Sequence, residues 1–141
     1  MQVLDCQLAI NLNYCENEID SFISNCEEAI NGFVNNKNTV FKLKIAIHEL
    51  IVNCIEHGYQ KGSGNVEFLL EKTQDDMICM TVKDYGKGFD FENFNLERKT
   101  TSLDDIQPRG WGLLIINRLA SSLKFEHNEP SGTTVQVYIK E

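Results

Sequence analysis

Positive charge is scarce in this chain of 141 residues, in which 13 lysines and arginines stand against 21 aspartates and glutamates and the net charge is -8. Nonspecific binding to nucleic acid or to an anionic membrane surface needs clustered lysine and arginine. We therefore expect neither partner. The deficit does not argue against a nucleotide ligand, because backbone amides and a divalent cation can hold phosphate groups.

Paired cysteines and long apolar runs are missing as well. The five cysteines form no C-x-x-C pair, so the sequence predicts reduced thiols and neither a disulfide framework nor a zinc site. No stretch approaches the length of a membrane span. The first ten residues, "MQVLDCQLAI", lack the basic segment and apolar core of a signal peptide. We expect an intracellular, cytoplasmic protein.

Several phosphate-binding signatures are also absent. The chain contains no G-x-x-x-x-G-K-[ST], and "GKGFDF" does not complete G-x-G-x-x-G. The motifs of the eukaryotic protein-kinase fold are missing too. A nucleotide site, if present, must therefore use a different arrangement.

Hydrophobic periodicity predicts the order β-α-α-β-β-loop-α-β-β in one domain over residues 1–141. Adjacent helices and paired strands indicate an α+β fold, a two-layer sandwich whose mixed, mostly antiparallel sheet is covered on one face by helices. The expected elements are a strand at 2–12, helices at 18–32 and from 38 or 39 to 58, a hairpin around "TQDD", an irregular loop at about 89–109, a helix from 110, and two strands around "PSG".

Three polar residues lie in line on the second predicted helix. Glu49, Asn53 and His57 are spaced i, i+4, i+8, so they share one face beside the apolar stripe. Such a line is either a solvated edge or the wall of a site. Alone it does not decide between them, because glutamates on helix surfaces are common and a single histidine is more often packed or solvated than functional.

Three further stretches hold residues suited to ligand binding: "DYGKG" at 84–88, "RGWGL" at 109–113 and "GTT" at 132–134. Each alone could be a turn, a helix entry or a strand opening. Together they fit a nucleotide site. Glycines after a strand allow close backbone approach, and a helix start preceded by G-x-G offers free amides to phosphate. Asn53 can ligate Mg²⁺, Asp84 can accept a hydrogen bond from an exocyclic amine, and Glu49 can act as a base.

These four stretches, in this order, resemble the motifs of the GHKL ATPases with the Bergerat fold, and most of all the small bacterial anti-sigma factor serine kinases. That subfamily shows E-x-x-x-N-A-x-x-H-G, D-x-G-x-G, R-G-x-G and G-T-x, and this chain has "ELIVNCIEHG", "DYGKG", "RGWG" and "GTT". The resemblance covers nearly the whole chain, and the length fits a free-standing domain. Cys54 replaces the usual alanine, a change that we expect to affect packing only.

The resemblance implies a role for each matching residue. Asn53 would coordinate Mg²⁺ on ATP, and Glu49 would be the general base for a serine or threonine hydroxyl of a partner protein. Asp84 would bind the adenine amine, supported by Thr133 or Thr134. The remaining nucleotide-binding positions would be His57 as a supporting residue, Gly86 and Gly88 in the adenine pocket, Arg109 at the terminal phosphate, and Gly110, Gly112 and Leu113 at the hinge of a lid formed by 89–109.

Three functions remain open at this point. The first is a serine/threonine protein kinase that acts as an anti-sigma factor, phosphorylates a small anti-sigma factor antagonist, and binds a sigma factor. The second is a module that binds ATP and switches partners with little phosphotransfer. The third is another GHKL-type ATPase or a detached histidine-kinase catalytic domain. The resemblance also implies a homodimer.

Overall fold

A computed structural model describes residues 2–12, 16–55, 64–73, 75–87 and 111–141, with backbone only for 2–12, for 16–17 and for 111–113. The elements are β1 (Gln2–Leu12), α1 (Glu16–Phe33), α2 (Lys37–Asn53), β2 (Gly64–Thr73), β3 (Met77–Asp84), α3 (Trp111–Leu119), β4 (Ser122–His127) and β5 (Thr133–Lys140). This order is the predicted one.

The second helix begins slightly before the predicted residue. The side chain of Asn36 accepts hydrogen bonds from the amides of Asn38 (2.9 Å) and Thr39 (3.1 Å) and so caps the helix at Lys37. At the other end the α-helix stops at Asn53, and Cys54 and Ile55 continue it as a wider π turn. The predicted end at Gly58 lies outside the described residues.

The five strands form a single sheet in the order β1-β2-β3-β5-β4, and all four pairings among the described strands are antiparallel. Alternate residues of the three central strands are buried on one face, as period-two patterning requires. They meet apolar residues of α1, α2 and α3 in one core. The predicted two-layer α+β sandwich is confirmed, and the helices cover one face of the sheet.

The core brings the end of α2 against the end of β3. Leu43, Ile47 and Ile51 are fully buried along α2, and Met80 and Val82 face them from β3. Burying side chains of this size stabilises the fold by about 1.5–3 kcal/mol each. This packing fixes where the last turn of α2 lies relative to the sheet.

Candidate functional site

A pocket opens where the last turn of α2 faces the sheet near the end of β3. Its empty space, including the mouth, is about 300 Å³. Four lining residues are apolar and four carry a polar atom, a composition that suits a largely apolar ligand with a few polar groups. The described residues that line it are Leu50, Asn53, Cys54, Val82, Asp84, Phe125, Thr133 and Val135.

Three residues of α2 reach this pocket because they share one side of the helix. Leu50 and Cys54 are one turn apart, and Asn53 lies next to Cys54. Leu50 and Cys54 are buried, whereas Asn53 is half-buried and is therefore the most accessible of the three. Glu49 is also half-buried, about 6 Å before Asn53 along the helix axis. Of the described residues, it is not among those that line the pocket.

Asp84, the last residue of β3, is a buried carboxylate with only 5% of its surface exposed. Its Oδ1 atom accepts hydrogen bonds from the backbone amides of Gly86 (3.2 Å) and Thr133 (3.3 Å). Burial raises the pKa of this carboxyl, and the two amide hydrogen bonds oppose the rise. A buried, oriented acceptor of this kind can take a hydrogen bond from a ligand donor.

The turn between β4 and β5 is held tightly against the end of β3. Gly132 has φ +109°, and a Cβ at this position would lie 2.1 Å from the carbonyl oxygen of Asp84. Asn128 Nδ2 donates to that same carbonyl oxygen at 2.7 Å, and Ser131 Oγ donates to the carbonyl oxygen of Tyr85 at 3.2 Å. These contacts place the Thr133 amide beside the Asp84 carboxylate.

The two threonines of "GTT" lie on opposite faces of β5. Thr133 lines the pocket together with Val135, two residues further on. Thr134 is buried on the other face, where its hydroxyl donates to Asn128 Oδ1. Of the two residues that the sequence left as alternatives, Thr133 is therefore the one at the pocket.

Cys54 does more than fill space, contrary to the expectation that it affects packing only. Cys54 is 5% exposed and lines the pocket together with Asp84. Burial, with the nearby negative charge of Asp84, raises the pKa of the thiol well above its usual value. Cys54 therefore remains a protonated thiol at neutral pH and is able to donate a hydrogen bond to Asp84.

The structure brings three of the predicted site residues together at the pocket. Asn53, Asp84 and Thr133 line one pocket. Gly86 contributes its amide to Asp84. Gly112 and Leu113 lie in the first turn of α3, where only the backbone is described. The other predictions fall outside the described residues: His57, Gly88, Arg109, Gly110 and the lid at 89–109.

Several lining residues were not predicted. Val82 and Val135 lie two positions from Asp84 and Thr133, so strand alternation could have placed them on the same face. Leu50 is one turn before Cys54 and could have been found from helical spacing. Phe125 comes from β4, and only the pairing of β4 with β5, which sets Phe125 opposite Val135, brings it to the site.

A family model described as histidine kinase-like ATPase domain matches residues 18–139. The chain belongs to this family. The match confirms the predicted membership of the GHKL ATPases. The family description is that of an ATPase domain, which gives the pocket an expected ligand in ATP.

Curated relatives of this family member include the serine-protein kinase RsbW of Bacillus cereus and that of Bacillus thuringiensis. Each is 32% identical over 104 residues, which cover 70% of this chain and 63% of the relative. The chain therefore spans less than two thirds of the length of these kinases. Their name agrees with the predicted likeness to serine kinases.

Solved structures show the same fold at lower identity. The RsbU and RsbW domains of a Mycobacterium tuberculosis protein match with a TM-score of 0.63 and 20% identity over 96% of this chain and 32% of that one. The SiaB–SiaC complex of Pseudomonas aeruginosa matches with a TM-score of 0.67 and 14% identity, over 94% of this chain and 89% of that one.

 Because ATP is bound together with Mg²⁺, a residue of the pocket must be able to face that cation. Asn53 lines the pocket and is half-buried, and its side-chain oxygen is a suitable magnesium ligand. Among the residues that the structure describes, no group of three or more His, Cys, Asp or Glu side chains could hold a metal ion. A single protein ligand fits a cation held mainly by phosphate oxygens and water.

Within the described part of the chain, no helix combines the length and the apolar character that crossing a membrane requires.

Proposed function

We propose that this protein is an ATP-dependent serine/threonine protein kinase that acts as an anti-sigma factor and phosphorylates a small anti-sigma factor antagonist. The observation that carries the proposal is the pocket itself, in which residues from three separated motifs, Asn53, Asp84 and Thr133, lie together. The family match to an ATPase domain and the relatives named serine-protein kinase support the same reading.

In this proposal the adenine ring enters between the apolar walls of the pocket. Asp84 accepts a hydrogen bond from the adenine amine, and its fixed Oδ1 atom leaves the other carboxylate oxygen clear of the two backbone donors. Thr133 supports the same edge of the base. Leu50, Val82 and Phe125 supply apolar contact with the ring. The pocket thereby distinguishes a purine with an amino group from other flat ligands.

The phosphates extend from the pocket toward the last turn of α2. Asn53 would hold Mg²⁺ through its side-chain oxygen, and the cation would supply charge neutralisation at the phosphate oxygens. The predicted roles of His57, Gly88, Arg109 and Gly110 remain part of the proposal, together with closure of a lid at 89–109 hinged near Gly112 and Leu113. In this arrangement Arg109 neutralises the terminal phosphate.

Glu49 is proposed as the general base. It lies one turn before Asn53 on α2, so a hydroxyl directed at the terminal phosphate would approach the same part of the helix. The carboxylate accepts the proton of the serine or threonine hydroxyl as its oxygen bonds to the terminal phosphorus. The bond from that phosphorus to the bridging oxygen breaks, and ADP leaves.

Phosphotransfer from radiolabelled ATP to a purified small anti-sigma factor antagonist protein tests this proposal. We expect phosphoserine or phosphothreonine on the antagonist. Glu49→Gln should bind Mg-ATP with unchanged affinity in calorimetry but lose at least ~100-fold in transfer rate, because a positioned base contributes roughly that much. His48→Gln, an exposed change on the same helix turn, serves as the matched control. If Glu49→Gln transfers phosphate at the wild-type rate, Glu49 is not the general base.

One observation favours a second candidate, an ATP-binding module that switches partners with little phosphotransfer. Glu49, although described, is not among the residues that line the pocket. In that case wild-type protein would bind Mg-ATP and the antagonist without phosphorylating it. The same assay separates the two candidates, because only the kinase leaves radiolabel on the antagonist.

The remaining parts of the proposal concern the assembly and its setting. We infer a homodimer of single domains over 1–141 that works in the cytoplasm and holds a sigma factor as its second partner. The relatives named serine-protein kinase support phosphotransfer to a serine of a protein, but they extend beyond the region that this chain matches. Light scattering of the purified protein, alone and with each partner, tests the assembly.

A further inference from the structure

Cys54 and Asp84 form a buried pair inside the pocket. Each residue is 5% exposed, both line the pocket, and they lie close enough for each to shift the pKa of the other. The backbone of Cys54 is itself fixed, because its amide donates to the carbonyl oxygens of Leu50 and Ile51. The thiol therefore meets Asp84 from a rigid helix turn.

The donor groups around the Asp84 carboxylate come from three different parts of the chain. The Gly86 amide follows β3, the Thr133 amide begins β5, and the Cys54 thiol ends α2. Both amides donate to one oxygen, Oδ1, and could not by themselves prevent the carboxylate plane from turning about that point. A third donor from the opposite layer of the fold would restrict this rotation, and the Cys54 thiol is placed to supply it.

We propose that the Cys54 thiol donates a hydrogen bond to the Asp84 carboxylate. Cys54 is then a positioning residue that sets base specificity, because it holds that carboxylate in the orientation that accepts a hydrogen bond from a 6-amino purine. The inference rests on the proposed ATP pocket and adds a determinant of its selectivity. A fixed carboxylate attracts the amino group of adenine and repels the carbonyl oxygen of a 6-oxo purine. A carboxylate that can turn away loses part of both effects.

Affinities for Mg-ATP and for inosine triphosphate with Mg²⁺, measured by calorimetry, test this role. The two nucleotides differ at position 6 of the base, and their ratio of dissociation constants isolates that contact. We expect wild-type protein to prefer ATP by ~10-fold or more, and Cys54→Ala to reduce this ratio ~3- to 10-fold, the worth of one hydrogen bond. Cys54→Ser keeps a donor and should keep the ratio within about 3-fold of wild type.

Two controls separate positioning from packing. Cys26→Ala removes a fully buried thiol from α1, away from the pocket lining, and should lower the melting temperature without changing the ratio. Cys54→Val removes the donor while filling the volume, so it tests the role if Cys54→Ala fails to fold. We expect Cys54→Val to lose the same selectivity as Cys54→Ala.

Three outcomes would overturn the inference. An unchanged ratio in both Cys54→Ala and Cys54→Val, or an equal loss of affinity for both nucleotides, would reduce Cys54 to a packing residue. If wild-type protein binds ATP and inosine triphosphate equally well, there is no base selectivity for Cys54 to set. If wild-type protein binds neither nucleotide, the proposed function fails as well, so the wild-type measurement distinguishes the two failures.

Discussion

A buried carboxylate is costly to a fold, and Asp84 is such a group. Its surface is 5% exposed, and burial raises its pKa because the ionised form loses hydration. Two amide hydrogen bonds and one thiol offset only part of that cost. A residue held in a destabilising state at the wall of a pocket is a candidate for ligand recognition.

Replacing Asp84 by asparagine should therefore separate binding from stability. The amide oxygen can still accept from Gly86 and Thr133, but the amide nitrogen would face the donor amine of adenine. We expect Mg-ATP to bind roughly 10-fold or more weakly, as for a lost hydrogen bond to a charged group. The melting temperature at pH 7 should stay level or rise, because the raised folded-state pKa makes ionisation unfavourable to folding.

Calorimetry and thermal melts on the same samples check this prediction. Asp20→Asn, an exposed change on α1, controls for the loss of one negative charge. Wild-type affinity in Asp84→Asn would contradict the recognition role, whereas a large fall in melting temperature would contradict the account of the buried charge.

At the scale of elements, the turn between β4 and β5 matters because it is placed against another strand. A Cβ on Gly132 would meet the Asp84 carbonyl oxygen at 2.1 Å and the Tyr85 Cα at 2.7 Å. Both are backbone atoms that cannot rotate away. The turn and the end of β3 therefore act as one unit that sets the position of the Thr133 amide.

Gly132→Ala should destabilise the protein and disturb the pocket. The positive φ and the backbone clash together predict a loss on the order of 3 kcal/mol in the free energy of unfolding. Gly32→Ala is the matched control, because a Cβ there meets nothing within 4 Å and the residue is helical. It should stabilise by about 0.5–1 kcal/mol. Denaturant melts measure both, and equal effects would contradict the proposed contact.

The difference between local spacing and nonlocal packing explains what could be predicted from the sequence. Helices and strands follow from local spacing, so β1 was predicted with its observed ends, and the start of α2 was predicted one or two residues late because the cap at Asn36 was missed. Asp84 and Asn53 were identifiable because their motifs are short and contiguous. The placement of Phe125 depends on the register of β4 with β5, which is set by nonlocal packing. The approach of Cys54 to Asp84 at the pocket likewise joins two layers that no local pattern connects.

At the scale of the whole molecule, the strand order explains why one small pocket can gather distant motifs. β5 is inserted between β3 and β4, so the end of β3 and the beginning of β5 become neighbours although about 50 residues separate them. The helical layer then brings the last turn of α2 over that junction. The site therefore depends on how firmly the two layers are joined.

Glu141, which follows β5, joins those layers at the opposite end of β3 from Asp84. Its Oε2 atom accepts from the amides of Asn35 (2.7 Å) and Asn36 (3.2 Å) between α1 and α2, and its Oε1 atom pairs with Lys72 Nζ on β2 at 2.6 Å. Its own amide donates to the carbonyl oxygen of Asp76 at 2.8 Å. The Glu141 side chain thus links the segment between α1 and α2 to the sheet.

Glu141→Gln should lower the melting temperature at pH 7, because it weakens the ion pair and the two amide contacts. Lys72 holds the pKa of the Glu141 carboxyl below its usual 4.5, with help from the two amides. Since the folded-state pKa is lowered, the stabilisation is complete above pH 4.5 and is lost as the pH falls through the lowered value. Melts from pH 7 to pH 3 should therefore show the wild-type and mutant curves converging. The melting temperatures of Glu28→Gln, an exposed change on α1, should follow those of wild type at every pH. If the melting temperature of Glu141→Gln is still lower than that of wild type by the same amount at pH 3, the contact does not depend on charge.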